Sequence, residues 1–343
     1  MTSYFRPIVQ TGPARPKGAP GLAGGPFWFE RIELLSRNAP PEVIAATEAP
    51  ADVLARLTAP RAPVAGLEMG TARIMGILNV TPDSFSDGGE HAAPEAALAH
   101  ARLMLEQGAD IIDLGGESTR PGALEVPCEE EIARTAPPIA AIRAAGLDVP
   151  LSIDTRKAEV ARAAVAAGAG LVNDVSGFTF DAGLAPFCAE RGLPVCVMHA
   201  QGDPQTMQAA PRYDDVLLDV YDHLAARIAA LEGLGIPRDR IVTDPGIGFG
   251  KTAAHNLALL ARISLFHGLG CPILLGMSRK RFIATIGHAP EVADRVHGSV
   301  AVALAAVAQG VQILRVHDVF ATRSALTLWQ AANAGVFEDR GFG

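Results

Sequence analysis

Three kinds of polar group recur at the ends of short apolar runs, and their types limit the chemistry this chain can do. Ser152-Ile153-Asp154, Leu171-Val172-Asn173 and Val242-Thr243-Asp244 each close on a carboxylate or an amide. Two buried carboxylates beside an amide can accept N–H groups in pairs, which suits a flat ring carrying N–H donors next to a carbonyl. Cations form the second kind. Gly276-Met277-Ser278-Arg279-Lys280-Arg281 follows an apolar run and opens a helix, so backbone N–H groups and three cations are expected at one mouth, and Arg315-Val316-His317-Asp318 adds a guanidinium and an imidazole. That combination suits an anion. An arginine at an apolar strand end is costly unless something negative meets it. Two hydroxyl-rich, glycine-hinged segments are the third kind: residues 79–89, from Asn79 through Phe85 and Asp87, and residues 115–123, which include Ser118, Thr119, Arg120 and Pro121. Strand ends followed by mobile polar loops are where α/β enzymes present chemistry. Other polar residues have blander readings. Asp113 reads as a structural ion pair or helix cap, Asp174 equally as an ion pair or cap or as a site group, Arg281 as a solvated helix end, and His199 as a polar lining or satisfied loop histidine, since no acid is spaced to orient it. Residues 248–252, Gly-Phe-Gly-Lys-Thr, imitate the end of a phosphate-binding loop, but Pro245 stands where the first glycine of GxxxxGK[ST] is required. Pro245, Gly246 and Gly248 therefore read as turn geometry, with Phe249 able to lie against a flat ring.

The elements that must position these groups can be read from a recurring unit. Residues 107–113, 167–173 and 309–315 each follow an alanine-rich helical stretch, place glycine at the left-handed cap, and continue into a short apolar strand that ends polar. Helix-to-strand repetition implies parallel strands. Residues 74–79, 151–154, 195–198, 241–244 and 273–276 fit the same mould, which makes eight strands over roughly 250 residues, the size of one (β/α)8 barrel with catalytic groups at the C-terminal strand ends. Asn79, Asp113, Asp154, Asn173, Asp244 and Arg315 then converge on one mouth. A doubly wound sheet also buries apolar parallel strands, but it does not require eight that each end in a functional group.

Composition sets limits on the rest. A chain of 343 residues, 49% hydrophobic, can bury one large core and an appendage, and a net charge of -8 argues against a general nucleic-acid binder. Cys128, Cys188, Cys196 and Cys271 form no CxxC pair and no cysteine/histidine metal spacing, so they read as reduced thiols of a cytoplasmic protein. No run reaches membrane-spanning length, and the first ten residues lack the regions of a signal peptide, so no membrane role is expected. Residues 1–69, rich in proline, glycine and alanine, are expected to be an extension with a small sheet or helix of its own around Phe27-Trp28-Phe29 and residues 32–35, packed on or near the barrel. Residues 70–335 form the barrel in this reading and 336–343 a tail.

Residues 70–335 resemble dihydropteroate synthase along the whole barrel. The likeness runs in order through residues 79–89, 115–123, Ser152 to Thr155, Asn173-Asp174, Val197-Met198-His199, residues 244–251, Ser278-Arg279-Lys280 and Arg315-Val316-His317-Asp318. Each motif alone is weak, whereas eight in this order are specific. Departures are small: Ala200 and Gln201 follow Met198-His199, Ile247 stands where an aromatic is frequent, and residues 296–299 vary a stretch expected to lie outside the site.

The resemblance implies a transferase that condenses 6-hydroxymethyl-7,8-dihydropterin diphosphate with p-aminobenzoate, releases diphosphate, uses Mg²⁺, is a target of sulfonamides and works as a homodimer. It assigns Asp154, Asn173, Asp244 and Lys280 to the pterin, with Met198, Phe249 and Gly276 lining the slot. Asn79 would coordinate the Mg²⁺ held by the diphosphate, and Thr119, Arg315 and His317 would bind that diphosphate. Phe85, Thr119, Pro121 and Ser278 would shape the p-aminobenzoate pocket, with Arg120 and Asp87 closing over it. The chemistry then consists mainly of leaving-group stabilisation with no side-chain nucleophile, consistent with the lack of a plausible Ser/His/Asp or Cys/His set. A corrinoid-linked pterin methyltransferase domain would share the barrel but not need residues 118–121 and 278–280. A phosphosugar enzyme would leave Asp154, Asn173 and Asp244 without a purpose, and a non-catalytic pterin binder would be expected to lose Asn79 or the loop residues.

Overall fold

A computed structural model describes residues 3–80, 89–118, 123–202, 207 and 210–336, with backbone only at 89–93. Eight parallel strands, β4 (Arg73–Asn79), β5 (Ile111–Gly115), β6 (Leu151–Asp154), β7 (Leu171–Asp174), β8 (Val195–Met198), β9 (Ile241–Asp244), β10 (Leu274–Gly276) and β11 (Ile313–Val316), run in the order β10-β11-β4-β5-β6-β7-β8-β9. A parallel bridge between Thr243 and Ile273 links the two ends of this order, so the sheet closes into the expected (β/α)8 barrel. Around it lie α2 (Gly89–Glu106), α3 (Cys128–Ala144), α4 (Ala158–Ala167), α5 (Leu184–Arg191), α6 (Val216–Gly233), α7 (Ala253–Ala261), α8 (Arg281–Ile286), α9 (Val296–Val307) and α10 (Val319–Ala334). The helix-to-strand junctions turn as the repeats predict: Gly108, Gly168 and Gly310 have φ of 93°, 120° and 88°, a region costly for residues with a Cβ.

The two-residue period of a strand explains which groups meet inside. Met75, Ile111, Leu171, Cys196, Val242, Leu274 and Ile313, near the strand starts, form one buried cluster. Two residues further along each strand come Ile77, Asp113, Asn173, Met198, Asp244, Gly276 and Arg315, with Asp154 reaching the same side from β6. Residues of the other parity, among them Ile74, Ile112, Ile153, Val172, Val197, Leu275 and Leu314, pack outward against the helices. Slipping a strand by one residue would exchange these sets, so the apolar pattern fixes which polar groups face the mouth.

The N-terminal residues form an antiparallel sheet of β1 (Tyr4–Pro7), β2 (Arg31–Leu35) and β3 (Glu42–Ala45), followed by α1 (Ala51–Thr58). Leu22, Ala23, Phe29, Ile32, Ala46 and Leu57 make its small core. It is fastened to the barrel. The Tyr4 hydroxyl donates to Asp222 at 2.8 Å, the Ser264 hydroxyl donates to the Pro7 carbonyl at 2.9 Å, and Glu33 pairs with Arg6 at 2.5 Å and Arg262 at 3.1 Å. Val64 and Leu67 exchange backbone hydrogen bonds in a tight turn, and Val64 and Met69 pack into the cluster at the strand starts. The chain leaving the extension thereby plugs the barrel floor, with Val64 and Met69 packed against the strand starts.

Candidate active site

At the opposite end, Arg315 holds two carboxylates together. Its Nε donates to Asp113 Oδ2 at 2.6 Å and its Nη2 to Asp154 Oδ2 at 2.7 Å, while Asn173 Nδ2 donates to Asp113 Oδ2 at 3.2 Å. Strand register sets this arrangement, because β5, β6 and β7 are neighbours and β11 approaches from the far side of β4. One guanidinium cannot neutralise two carboxylates. Burial, opposed by Arg315 and reinforced by Asp113, pushes the Asp154 carboxyl up to about 7. Burial works against the Arg315 charge, but Asp113 and Asp154 outweigh it and hold its pKa above the ordinary value.

Asp244 stands across the mouth at the end of β9. Its Oδ1 accepts the Gly246 N–H at 2.7 Å, and burial raises its pKa against the pull of Lys280. The Lys280 ammonium lies 4.5 Å from the centroid of the Phe249 ring, donates to the Ile247 carbonyl, and has its pKa lowered to about 8 by burial. Gly276 leaves space between the partners: a Cβ there would lie 3.7 Å from Asp244 Oδ2 and 3.9 Å from Arg315 Cδ. Met198, on β8 beside β9, is buried and pairs in register with Asp244. Asp154, Asn173, Asp244, Lys280, Met198, Phe249 and Gly276 are thus gathered at one end of the barrel.

Ser278 and His317 meet at the ends of β10 and β11, where the Ser278 hydroxyl accepts the His317 N–H at 3.2 Å and lies 3.1 Å from His317 Nδ1. The expectation of three cations here needs correcting, because only Lys280 is buried beside Asp244, acting on it by charge without a direct ion pair. Arg279 takes a left-handed φ of 58° and pairs with Asp318 at 2.5 Å, and Arg281 is exposed at the start of α8. Ser299, in the stretch 296–299, accepts the Arg279 N–H at its hydroxyl at 2.9 Å and so braces the backbone next to Lys280. Asn79 ends β4 in a half-buried position. Phe85, Asp87, Thr119, Arg120 and Pro121 lie outside the described residues.

The blander readings fare well. Asp174 caps the turn after β7, accepting the Ser176 and Phe178 N–H groups at 2.7 Å each. His199 is buried against Lys251, its Nδ1 2.8 Å from the ammonium, and burial followed by that cation drives its pKa down to about 2. Lys251 itself is enclosed by loop carbonyls, which a phosphate-binding lysine would not be. Three features were not read from the residues: the pairing of Asp113 with Arg315 inside the mouth, the inward turn of Lys251, and a buried ion cluster at its rim. In that cluster Lys157 Nζ contacts Glu117 at 3.0 Å, Glu131 at 2.7 Å and the Val126 carbonyl at 2.6 Å, while Arg156 holds Glu117 at 2.9 Å. Asp113 was expected at the mouth and as an ion pair, and the structure supplies the partner, Arg315.

Among the described residues no group of three or more His, Cys, Asp or Glu could hold a metal ion. The hard amide oxygen of Asn79 at the strand end fits an ion such as Mg²⁺ that keeps several waters and is carried mostly by substrate phosphates.

The chain belongs to a class of barrel enzymes that bind pterins: residues 75–317 match the family model described as pterin binding enzyme. The curated dihydropteroate synthase of Escherichia coli K12 is 48% identical over 265 residues, covering 77% of this chain and 93% of its own. The solved Xanthomonas albilineans dihydropteroate synthase with 4-aminobenzoic acid is 49% identical with a TM-score of 0.75, over 80% of this chain and 98% of that one. The same organism's enzyme in complex with 7,8-dihydropteroate is 47% identical with a TM-score of 0.72, over 80% and 99%. This chain belongs to the dihydropteroate synthase family.

Proposed function

We propose that the family's transferase reaction, condensation of 6-hydroxymethyl-7,8-dihydropterin diphosphate with p-aminobenzoate, takes place at this mouth with the following division of labour. Asp154 and Asn173 accept or complete the donor edge of the pterin, Asp244 and Lys280 meet its other polar atoms, and Met198, Phe249 and Gly276 border the ring plane. Arg315 spends Nε and Nη2 on carboxylates, leaving Nη1 to meet the diphosphate together with His317 and Thr119. Ser278, Phe85, Thr119 and Pro121 border the p-aminobenzoate, with Arg120 and Asp87 over it. Mg²⁺, when bound through the diphosphate and Asn79, supplies charge neutralisation for the departing diphosphate. Loss of diphosphate leaves a benzylic-type cation on the dihydropterin, which the net negative Asp113–Arg315–Asp154 group faces. The aniline nitrogen then attacks this cation to form the C–N bond and gives its extra proton to the released diphosphate or to water, and the protein's work is positioning and exclusion of water during the attack.

The observation that carries this reading is the inward convergence of Asp154, Asn173, Asp244 and Lys280 beside Arg315 at one end of the barrel. The dihydropteroate and 4-aminobenzoic acid complexes of the relatives support the substrate pair. A homodimer is supported by the exposed apolar Phe320 and Leu328 on α10, 65% and 72% exposed. A cytoplasmic setting is supported by four free cysteines, and no described helix is long and apolar enough to cross a membrane. The division into an extension to residue 69, a barrel over 70–335 and a short tail is retained, with Val64 and Met69 shared by the first two. Incubation with both substrates and Mg²⁺ should yield 7,8-dihydropteroate and one diphosphate per turnover. No product when both are present, with folded protein confirmed, would overturn the reading.

A further inference from the structure

A buried cation that this reading leaves unused is Lys251, near the end of the loop joining β9 to α7 and only 3% exposed. Its Nζ donates to the Gly246 carbonyl at 2.9 Å, the Phe249 carbonyl at 3.0 Å and the His199 carbonyl at 3.4 Å, and lies 2.8 Å from His199 Nδ1. The loop coils around the ammonium of its own last residue. Glycine makes the coil possible: Gly246 has φ of 68°, and a Cβ there would fall 1.9 Å from the His199 carbonyl oxygen.

What the loop presents on its other side is the pterin slot. The Gly246 N–H holds Asp244 Oδ1 at 2.7 Å, the Ile247 carbonyl accepts from Lys280, and the Phe249 ring lies 4.5 Å from the same ammonium. Two lysines thus grip opposite sides of one short backbone, one internal and one facing the slot. Burial and then Lys280 weigh against the Lys251 charge, with Asp244 in its favour, so this is a costly group to keep inside. The carbonyls that face it would be left short of a donor if it were removed.

We propose that Lys251 is a positioning residue for pterin recognition, holding residues 246–249 so that Asp244, the Ile247 carbonyl and the Phe249 ring fix where the Lys280 ammonium stands. The proposal rests on the reading of Asp244 and Lys280 as pterin ligands.

The test is steady-state kinetics of the full-length wild type, Lys251→Met and His199→Ala, with each substrate varied at saturation of the other. Because a small misplacement of binding groups is costly, the KM for dihydropterin diphosphate should rise about tenfold or more in Lys251→Met and roughly threefold in His199→Ala, with that for p-aminobenzoate changing less than about twofold. A merely structural lysine would lower melting temperature and the yield of active protein while leaving the pterin KM of the surviving molecules unchanged, and that result overturns the proposal. An equal rise in both KM values also overturns it. If Lys251→Met fails to fold, His199→Ala decides, and an unchanged pterin KM there rejects the inference. An inactive wild type would overturn the pterin reading and this inference with it, whereas an active wild type with unaltered variants overturns this inference alone.

Discussion

The floor and the mouth of the barrel are made by the same strands, two residues apart, yet they follow opposite physical rules. On the floor Met75, Ile111, Leu171, Cys196, Val242, Leu274 and Ile313 are each at most 1% exposed, and Val64 and Met69 seal them from below. Nothing polar needs a partner there, and each buried methylene adds stability. One step along the strands, three carboxylates from Asp113, Asp154 and Asp244 face two cations from Arg315 and Lys280, so full ionisation would leave one negative charge uncompensated in a buried place. Such a group costs stability, and binding is its proposed role. Substitutions should therefore separate cleanly: floor changes should unfold the protein without altering substrate recognition, and mouth changes should do the reverse.

The largest effect should come from charges that belong to neither class. Lys157→Met at the rim leaves Glu117 and Glu131 buried without their shared cation and should cost about 3–5 kcal/mol of unfolding free energy. Chemical denaturation would show this, and a loss below about 1 kcal/mol would mean that the cluster is solvated in solution. On the floor, Met75→Ala should cost about 2–5 kcal/mol through lost packing and the cavity left behind. Both KM values should stay as in the wild type, and a shift in either would break the proposed separation.

Linkage between sites comes next. p-Aminobenzoate should bind more tightly, by about 1–3 kcal/mol, when Mg²⁺ and diphosphate are present, because Thr119 is proposed to meet both ligands and the proposed p-aminobenzoate residues Phe85 and Pro121 follow the proposed anion residues Asn79 and Thr119 along the chain. The coupling should shrink in Asn79→Ala, and equal affinity with and without diphosphate would show a pocket that needs no anion.

The smallest effect concerns pH. Asp154, raised to about 7, must be ionised to accept pterin donors, and Lys280, lowered to about 8, must be protonated to remain a cation. Pterin affinity should therefore fall below pH 7, by up to about tenfold per unit, and fall again above pH 8. For folding the sign is reversed. A carboxyl whose folded pKa lies above its unfolded value favours the folded state below the unfolded pKa, and that contribution is lost as pH rises through about 7. A flat affinity profile between pH 6 and pH 9 would count against both assignments.

Much of the mouth was legible because strand periodicity is local. Asp154, Asn173 and Asp244 stand where the apolar runs end, and β6, β8 and β9 begin and finish at the residues the sequence suggests. Cation direction was not legible. Arg279, Lys280 and Arg281 are neighbours in sequence, but a left-handed residue at Arg279 sends them three ways, and neither that φ nor the partner Asp318 follows from local pattern. Lys251 was hidden for a related reason: Gly-Phe-Gly-Lys signals a turn but not which way the lysine folds back. The extension showed its apolar patch, and residues 32–35 do fall in β2, but the rest of its sheet was not legible because it is held by contacts across more than two hundred residues, such as Tyr4 with Asp222 and Glu33 with Arg262. Val64 and Met69 belong to the floor by packing alone.

The most direct test of the central claim, that the inward carboxylates form the pterin site, is a calorimetric titration of dihydropterin diphosphate with Mg²⁺ into the wild type and Asp154→Asn at pH 8. The variant should lose at least about 2 kcal/mol of binding, since a charge-assisted pair becomes a mismatched amide. Its melting temperature should hold or rise, because a buried charge has been removed. Equal pterin affinity in a folded Asp154→Asn protein would contradict the account.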